Sequence, residues 1–254
     1  MFTASVLRSS GDNYIYVVCT QKTACVIDPT ESQPVIDLLN EKKLDLSKIL
    51  ITHHHADHTG GIPELKEKYD CEVISSNEGI EQTDRIVEDT DKIQLDGIEF
   101  RVVATPGHTK RSICFYIPPQ AENSFGMVFT GDTLFIGGCG RPIECDAGIL
   151  WSSLQKIVAL GDTILVYCGH DYTEENYRFA LTVDPSNDAF RRRLEEVQVL
   201  SHKGLPTVGN PLKNEKRTNI FLRANDPYIK RLLKLEGAED VIVFTELRRR
   251  KNNF

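Results

Sequence analysis

THHHADHTGG, residues 52–61, holds four of the chain's seven histidines within six positions. Just before it, KILIT (48–52) is a short apolar run rich in β-branched residues. Just after it, Gly60, Gly61 and Pro63 open PELKEKY, a helical pattern. The order is therefore strand, histidine cluster, helix. Alternate side chains of an extended segment share a face, so His53 and His55 are expected to converge on one point while His54 faces away. Asp57 and His58 follow where the chain leaves the strand, and the double glycine is expected to relax the backbone so that this pair turns toward a neighbouring point. Imidazole and carboxylate suit zinc, iron or manganese. A solvated histidine run at a pH-sensitive turn is the competing reading.

Three later strand ends weigh against that alternative. ATPGHT carries His108, FTGDTL carries Asp132 and YCGHDYT carries His170, each directly preceded by glycine. One histidine of this kind is more often structural, but three such ends beside H-x-H-x-D-H point to a metal centre. Of the histidines outside the cluster, only His202 lacks such a setting. Asp28, in VIDP, reads either as an acceptor for a ligand histidine or as a turn-forming residue before Pro29.

The chain has 254 residues, 40% hydrophobic and 26% charged, the profile of a soluble globular protein with one large domain or two smaller ones. No apolar run approaches the roughly 20 residues of a membrane span. MFTASVLRSS lacks the charged start and long apolar stretch of a secretory signal, so a cytoplasmic protein without membrane partners is expected. Seven cysteines without a CxxC pair argue against a disulfide framework or zinc ribbon and fit reduced thiols. Residues 172–254 hold 16 Lys+Arg against 12 Asp+Glu, which leaves a net −11 on residues 1–171 of a chain whose total is −7. Such an acidic first part is a poor nucleic-acid surface and a plausible home for cations.

Residues 1–171 alternate short β-rich runs with helical patterns. YIYVVC, ACVID, KILIT, CEVISS, KIQL, IEFRVVAT, SICFYIP, MVFTG and ILVYC read as strands, and PVIDLLNEKK, PELKEKY and ILWSSLQKIVAL as helices. This interleaving implies an α/β sandwich. From residue 172 the pattern is helical: EENYRFALT, AFRRRLEEVQVLSHKG, DPYIKRLLKLEG and EDVIVFTELRRRKNN, with a Pro/Gly/Asn-rich connection around LPTVGNPLKNEKRTN. The expected division falls near residue 172, between an α/β domain over 1–171 and a helical domain over 172–254.

THHHADH, PGHT, GDTLF and CGHDYT, in this order and spacing, resemble the metallo-β-lactamase superfamily. The helical segment with its closing LRRRKNNF, together with DNYIY (12–16) and GCGR (138–141), makes essentially the whole chain similar to glyoxalase II, the hydroxyacylglutathione hydrolases. The resemblance implies an αββα sandwich followed by a smaller all-α C-terminal domain. It also implies two divalent metal ions, zinc by default with iron or manganese as alternatives. His53, His55 and His108 would hold one ion, Asp57, His58 and His170 the other, and Asp132 would bridge them, with His54 outside the set. Arg141, Tyr172, Arg248 and Lys251 would grip the glycine end of a glutathione thioester. The chain departs from the family after GCGR, where Pro142 and Ile143 replace an aromatic pair and Cys145 takes the usual glycine position.

Two ions sharing a water lower its pKa and present a bridging hydroxide, so no Ser or Cys nucleophile is needed. Asp132 would bridge the ions in catalysis and Asp57 would assist proton transfer as well as binding metal. The expected reaction is hydrolysis of S-(2-hydroxyacyl)glutathione, typified by S-D-lactoylglutathione, to D-lactate and glutathione, the second step of methylglyoxal detoxification, by a monomer. The alternatives are hydrolysis of another thiol's thioester and an iron-dependent persulfide dioxygenase, whose members generally lack the helical tail. A phosphodiester hydrolase is opposed by the −11 balance, and a binding module without catalysis by the complete donor set.

Overall fold

The computed structural model describes residues 2–9, 11–80, 82–122 and 124–254. Its first sheet runs in chain order through β1 (Thr3–Arg8), β2 (Tyr14–Cys19), β3 (Thr23–Ile27), β4 (Asp45–Leu50), β5 (Glu72–Ser75) and β6 (Arg85–Ile86). Helix α1 (Gln33–Lys42) joins β3 to β4, and α2 (Ala56–Thr59) and α3 (Ile62–Lys68) join β4 to β5. Pairing is antiparallel from β1 to β3 and parallel from β3 to β6, with helices supplying the crossovers into β4 and β5. Pro34 stands in the first turn of α1, where its missing N–H costs nothing. Of the opening stretch MFTASVLRSS, Met1 and Ser10 lie outside the described residues. Thr3–Arg8 form an edge strand that the sequence reading passed over.

The second sheet contains β7 (Lys92–Leu95), β8 (Ile98–Ala104), β9 (Ile113–Ile117), β10 (Gly126–Gly131) and β13 (Ile164–Cys168). Between β10 and β13 come a small hairpin, β11 (Leu134–Phe135) with β12 (Gly138–Cys139), and helix α4 (Ala147–Val158). The two sheets face each other. Tyr14, Tyr16 and Val18 of β2 meet Phe100, Phe115 and Phe129 of the second sheet in the layer between them. The intervening Ile15, Val17 and Cys19 enter a separate outer layer under α1 and α3. Period-two alternation in YIYVVC thus feeds two cores, and every residue of the strand is buried.

Helices α5 (Thr173–Val183), α6 (Asp188–His202), α7 (Leu212–Thr218), α8 (Pro227–Leu233) and α9 (Asp240–Asn252) cover the outer face of the second sheet. Ile164, Val166 and Cys168 of β13 share one apolar cluster with Phe179, Phe221 and Phe244 of this helical segment. The expected connection at 205–219 is corrected here. Asn210–Pro211 form a strand, β14, antiparallel to β13 at the sheet edge, and α7 follows it directly. Only Leu212, Glu215 and Thr218 of α7 are buried, so the hydrophobic periodicity that reveals helices is nearly absent from LKNEKRT.

Candidate metal centre and substrate cleft

The histidine cluster occupies the loop between β4 and α2 at one end of the sandwich. The expected extended backbone ends sooner than read, at Leu50, and residues 52–53 bend. His53 and His55 still converge, with His53 Nε2 3.1 Å from His55 Nδ1. Asp57 and His58 reach the centre from the single turn of α2. The double glycine serves differently from expectation, since both residues adopt ordinary right-handed helical dihedrals. A Cβ on Gly60 would lie 2.4 Å from the carbonyl oxygen of Thr30, and one on Gly61 would lie 2.9 Å from that of Pro29. Close backbone approach, rather than conformational freedom, demands glycine here.

The second sheet delivers the remaining donors: His108 follows β8, Asp132 follows β10 and His170 follows β13. His108 Nε2 lies 3.1 Å from His55 Nδ1, completing one group with His53. His58 Nε2 and His170 Nε2 lie 3.3 Å apart, with Asp57 Oδ2 at 3.6 and 3.3 Å from them, forming a second group. Asp132 stands between the groups. Its Oδ1 is 3.4 Å from His58, and its Oδ2 is 3.5 Å from His108 and 3.4 Å from His170. Glycine before His170 is again required sterically, because a Cβ on Gly169 would sit 2.5 Å from Asp132 Oδ1.

Outer hydrogen bonds orient four of the five imidazoles. His58 Nδ1 donates to Asp28 (3.0 Å), His170 Nδ1 to Asp12 (2.8 Å) and His108 Nδ1 to the carbonyl of Arg141 (2.8 Å). Thr52 Oγ1 donates to Asp28 and so accepts from His53 Nδ1 at 3.1 Å. The Nε2 atoms of His53, His58, His108 and His170 therefore turn bare lone pairs inward. Asp132 Oδ1 is buried without a hydrogen-bond partner among the described residues. Lone pairs and carboxylates gathered at 3.1–3.6 Å repel unless a cation lies among them, so the donor set fits divalent metal ions. The gathered carboxylates call for positive charge, and without a cation a proton on His170 supplies it. Burial opposes protonation of His170, yet Asp132, Asp57 and Asp12 push it up to about 11. Burial and the neighbouring His58 hold His53 well below its ordinary range. Asp57 is held far below the usual carboxylate range by His170, and Asp132 lies below it too because His170 and His58 outweigh its burial.

His54 turns outward to Glu144, 3.3 Å away. The resemblance brought DNYIY to notice but gave no role to its first two residues. Asp12 orients His170, and the Asn13 amide donates to Asp57 Oδ2 at 3.2 Å. The available signal was an acid–amide pair immediately before a wholly buried strand.

A cleft of about 400 Å³ opens beside the centre, with His108 and Asp132 on its floor. Arg141, Tyr172, Arg248 and Lys251 all line it. The Tyr172 ring stacks on His170 with centroids 4.8 Å apart, and its burial raises the phenol pKa so that it stays a hydrogen-bond donor. Arg248 is buried, donating to the carbonyl of Cys139 at 2.8 Å and to Asn252. Ile143, 57% exposed, forms part of the wall.

Residues 10–170 match the family model of the metallo-beta-lactamase superfamily, and residues 171–254 match that of the hydroxyacylglutathione hydrolase C-terminus. Among curated proteins, the chain is 43% identical over 249 residues to a hydroxyacylglutathione hydrolase of Rhodospirillum rubrum, covering 96% of this chain and 95% of that one. It is 41% identical over 247 residues to one of Rhodopseudomonas palustris, with 95% of each covered. Among solved structures, ETHE1 from Myxococcus xanthus superposes with a TM-score of 0.67 at 26% identity, over 98% of this chain and 90% of that one. TTHA1623 in a di-iron-bound form superposes with a TM-score of 0.60 at 26% identity, over 86% and 99%. With the metallo-β-lactamase fold, its helical C-terminal segment and relatives matched along nearly their whole length, the chain belongs to the hydroxyacylglutathione hydrolase family.

Proposed function

We propose that this protein is a metal-dependent thioester hydrolase that converts S-(2-hydroxyacyl)glutathione, such as S-D-lactoylglutathione, to the 2-hydroxy acid and glutathione. Family membership implies divalent-metal binding. The observation that carries the reading is the pair of inward-facing donor groups on either side of Asp132. In this reading His53, His55 and His108 would hold one ion and Asp57, His58 and His170 the other, with Asp132 serving both groups. Zinc is the default occupant and iron or manganese the alternatives, since mixed nitrogen and oxygen donors do not choose among them. When bound, two such ions lower the pKa of a shared water and polarise a carbonyl.

The chain's own residues do the rest. Asp12 and Asp28 fix the ring orientations of His170 and His58, and Asn13 aims Asp57 inward, where its ionised carboxylate is proposed to accept a hydrogen bond as a proton is transferred. Tyr172 and Arg141 are proposed to orient the thiol carrier along the cleft, together with Arg248 and Lys251 from α9. No acid is needed for the leaving group, because a thiol ionises near pH 8.5 and departs as thiolate. Of the residues that depart from the family pattern, Ile143 stands in the cleft wall, and its backbone N–H donates to the carbonyl of His108 at 3.3 Å. All seven cysteines are free, which supports a reducing, cytoplasmic setting. We also propose residues 1–171 and 172–254 as the two domains, a division supported by the two family models meeting at 170/171.

Hydrolysis of S-D-lactoylglutathione, with metal content determined on the same sample, tests the reading. Turnover with about two ions per chain is expected. Two ions without turnover would redirect the assignment to another thioester.

A further inference from the structure

Three cations line the cleft, and two of them are already engaged. Arg248 is committed to Cys139 and Asn252. The Lys251 side chain is only 9% exposed, with its ammonium ion-paired to Glu175 and lying over the rings of Phe179 and Phe254 at 5.8 and 5.0 Å. Arg141, on the rim, makes no side-chain hydrogen bond or ion pair among the described residues. Glu175 is the opposite of its partner. Its side chain is 60% exposed and, among the described residues, bonds to Lys251 alone. It stands in the first turn of α5, where the helix dipole favours a carboxylate whether or not a lysine is present. Lys251 is thus fixed in place while Glu175 is free to leave it.

Resting on the hydrolase reading, we propose that Glu175 is a specificity-determining counter-ion, occupying on Lys251 the position that the carrier's terminal carboxylate takes. Carrier binding is then an exchange of one carboxylate for another. Arg141 receives the anionic carrier first, and Glu175 swings into solvent as the second carboxylate displaces it. Because the displaced group is tethered beside its site, it competes at every carrier concentration and weakens the hold on the substrate. A carrier without that carboxylate cannot displace Glu175 and gains nothing from Lys251.

The test compares wild-type protein with Glu175→Gln, both metal-loaded, on S-D-lactoylglutathione and on its glycinamide analogue. A partly exposed ion pair of this kind is worth up to about fivefold, so KM for the acid should fall by about that factor in Glu175→Gln. The two proteins should share one KM for the amide, and in a Lys251→Ala background Glu175→Gln should leave KM for the acid unchanged. An unchanged or raised KM for the acid would overturn the proposal, as would an equal shift on the amide. If the wild type does not hydrolyse the thioester, the hydrolase reading fails separately. Calorimetric binding of S-methylglutathione then decides, with tighter binding to Glu175→Gln expected, and equal or absent binding overturning the counter-ion role.

Discussion

The guanidinium of Arg248 donates to the carbonyl of Cys139 at 2.8 Å, a bond that spans 109 residues of sequence and ties α9 to the hairpin beside the metal centre. The same side chain bonds Asn252 and lies 5.0 Å over the Phe221 ring. A buried hydrogen bond to a charged group contributes about 1.5–3 kcal/mol. Arg248→Ala is therefore expected to lower unfolding stability by about that amount while also raising KM for the thioester. Denaturant titration and steady-state kinetics on one preparation check it. A KM effect without loss of stability would show that the arginine serves substrate alone.

Asp132 faces both donor groups, so its loss should cost both. Asp132→Ala is expected to abolish turnover and to lower the metal content of purified protein below one ion per two equivalents supplied. Metal analysis after dialysis reads this directly. Full retention of metal would reassign the residue to a purely chemical role.

Among the described residues, Asp12 touches the centre only through His170 Nδ1, and it is half exposed. Asp12→Asn keeps the shape and removes the charge that fixes the ring. Metal affinity should fall by about 10- to 100-fold, the usual cost of losing an outer partner, with the fold preserved. Competition with a chromophoric chelator measures it, and circular dichroism confirms folding.

Glu215 is fully buried, and both its oxygens accept: the Gly137 N–H at 2.8 Å and the Asn219 amide at 3.2 Å on one, the Asn210 amide on the other. Burial raises its carboxyl above the ordinary 4.5, and the three donors limit the rise. The folded state thus holds this proton more tightly than the unfolded chain. The resulting stability is fully present below pH 4.5 and is lost as pH rises through the folded value. Glu215→Gln carries no such proton. The stability of wild type relative to Glu215→Gln should decline from acid toward neutral pH in paired thermal melts, and a rise would reverse the assignment.

The donor residues were legible because H-x-H-x-D-H packs four of them into six positions and each of the other three directly follows a glycine after a strand, patterns that survive in one dimension. Asp12 and Asn13 were not, since an acid and an amide before a strand look like any turn until His170 arrives from 158 positions away. Likewise Arg248 and Lys251 could be placed near the cleft from the resemblance, but not their engagement with Cys139 and Glu175, which depends on how α9 docks. Strands with clear period-two or apolar runs appeared within a residue or two of their reading, except KILIT, read over 48–52 and found as Asp45–Leu50. Helix α7 did not, because a helix held by three buried side chains, one of them a glutamate, carries no apolar stripe.

Strand β14 is only two residues long, Asn210–Pro211, yet it covers the free edge of β13. Proline cannot donate a ladder hydrogen bond, so the sheet stops there and offers no template for another chain. A chain ended at residue 171 would uncover that edge together with the apolar flank of Ile164, Val166 and Cys168. The seam between the two family models is therefore a junction inherited in the sequence but closed in the molecule. The first part expressed alone should self-associate through its β13 edge, whereas the intact chain is capped against such growth by two residues from its own far end.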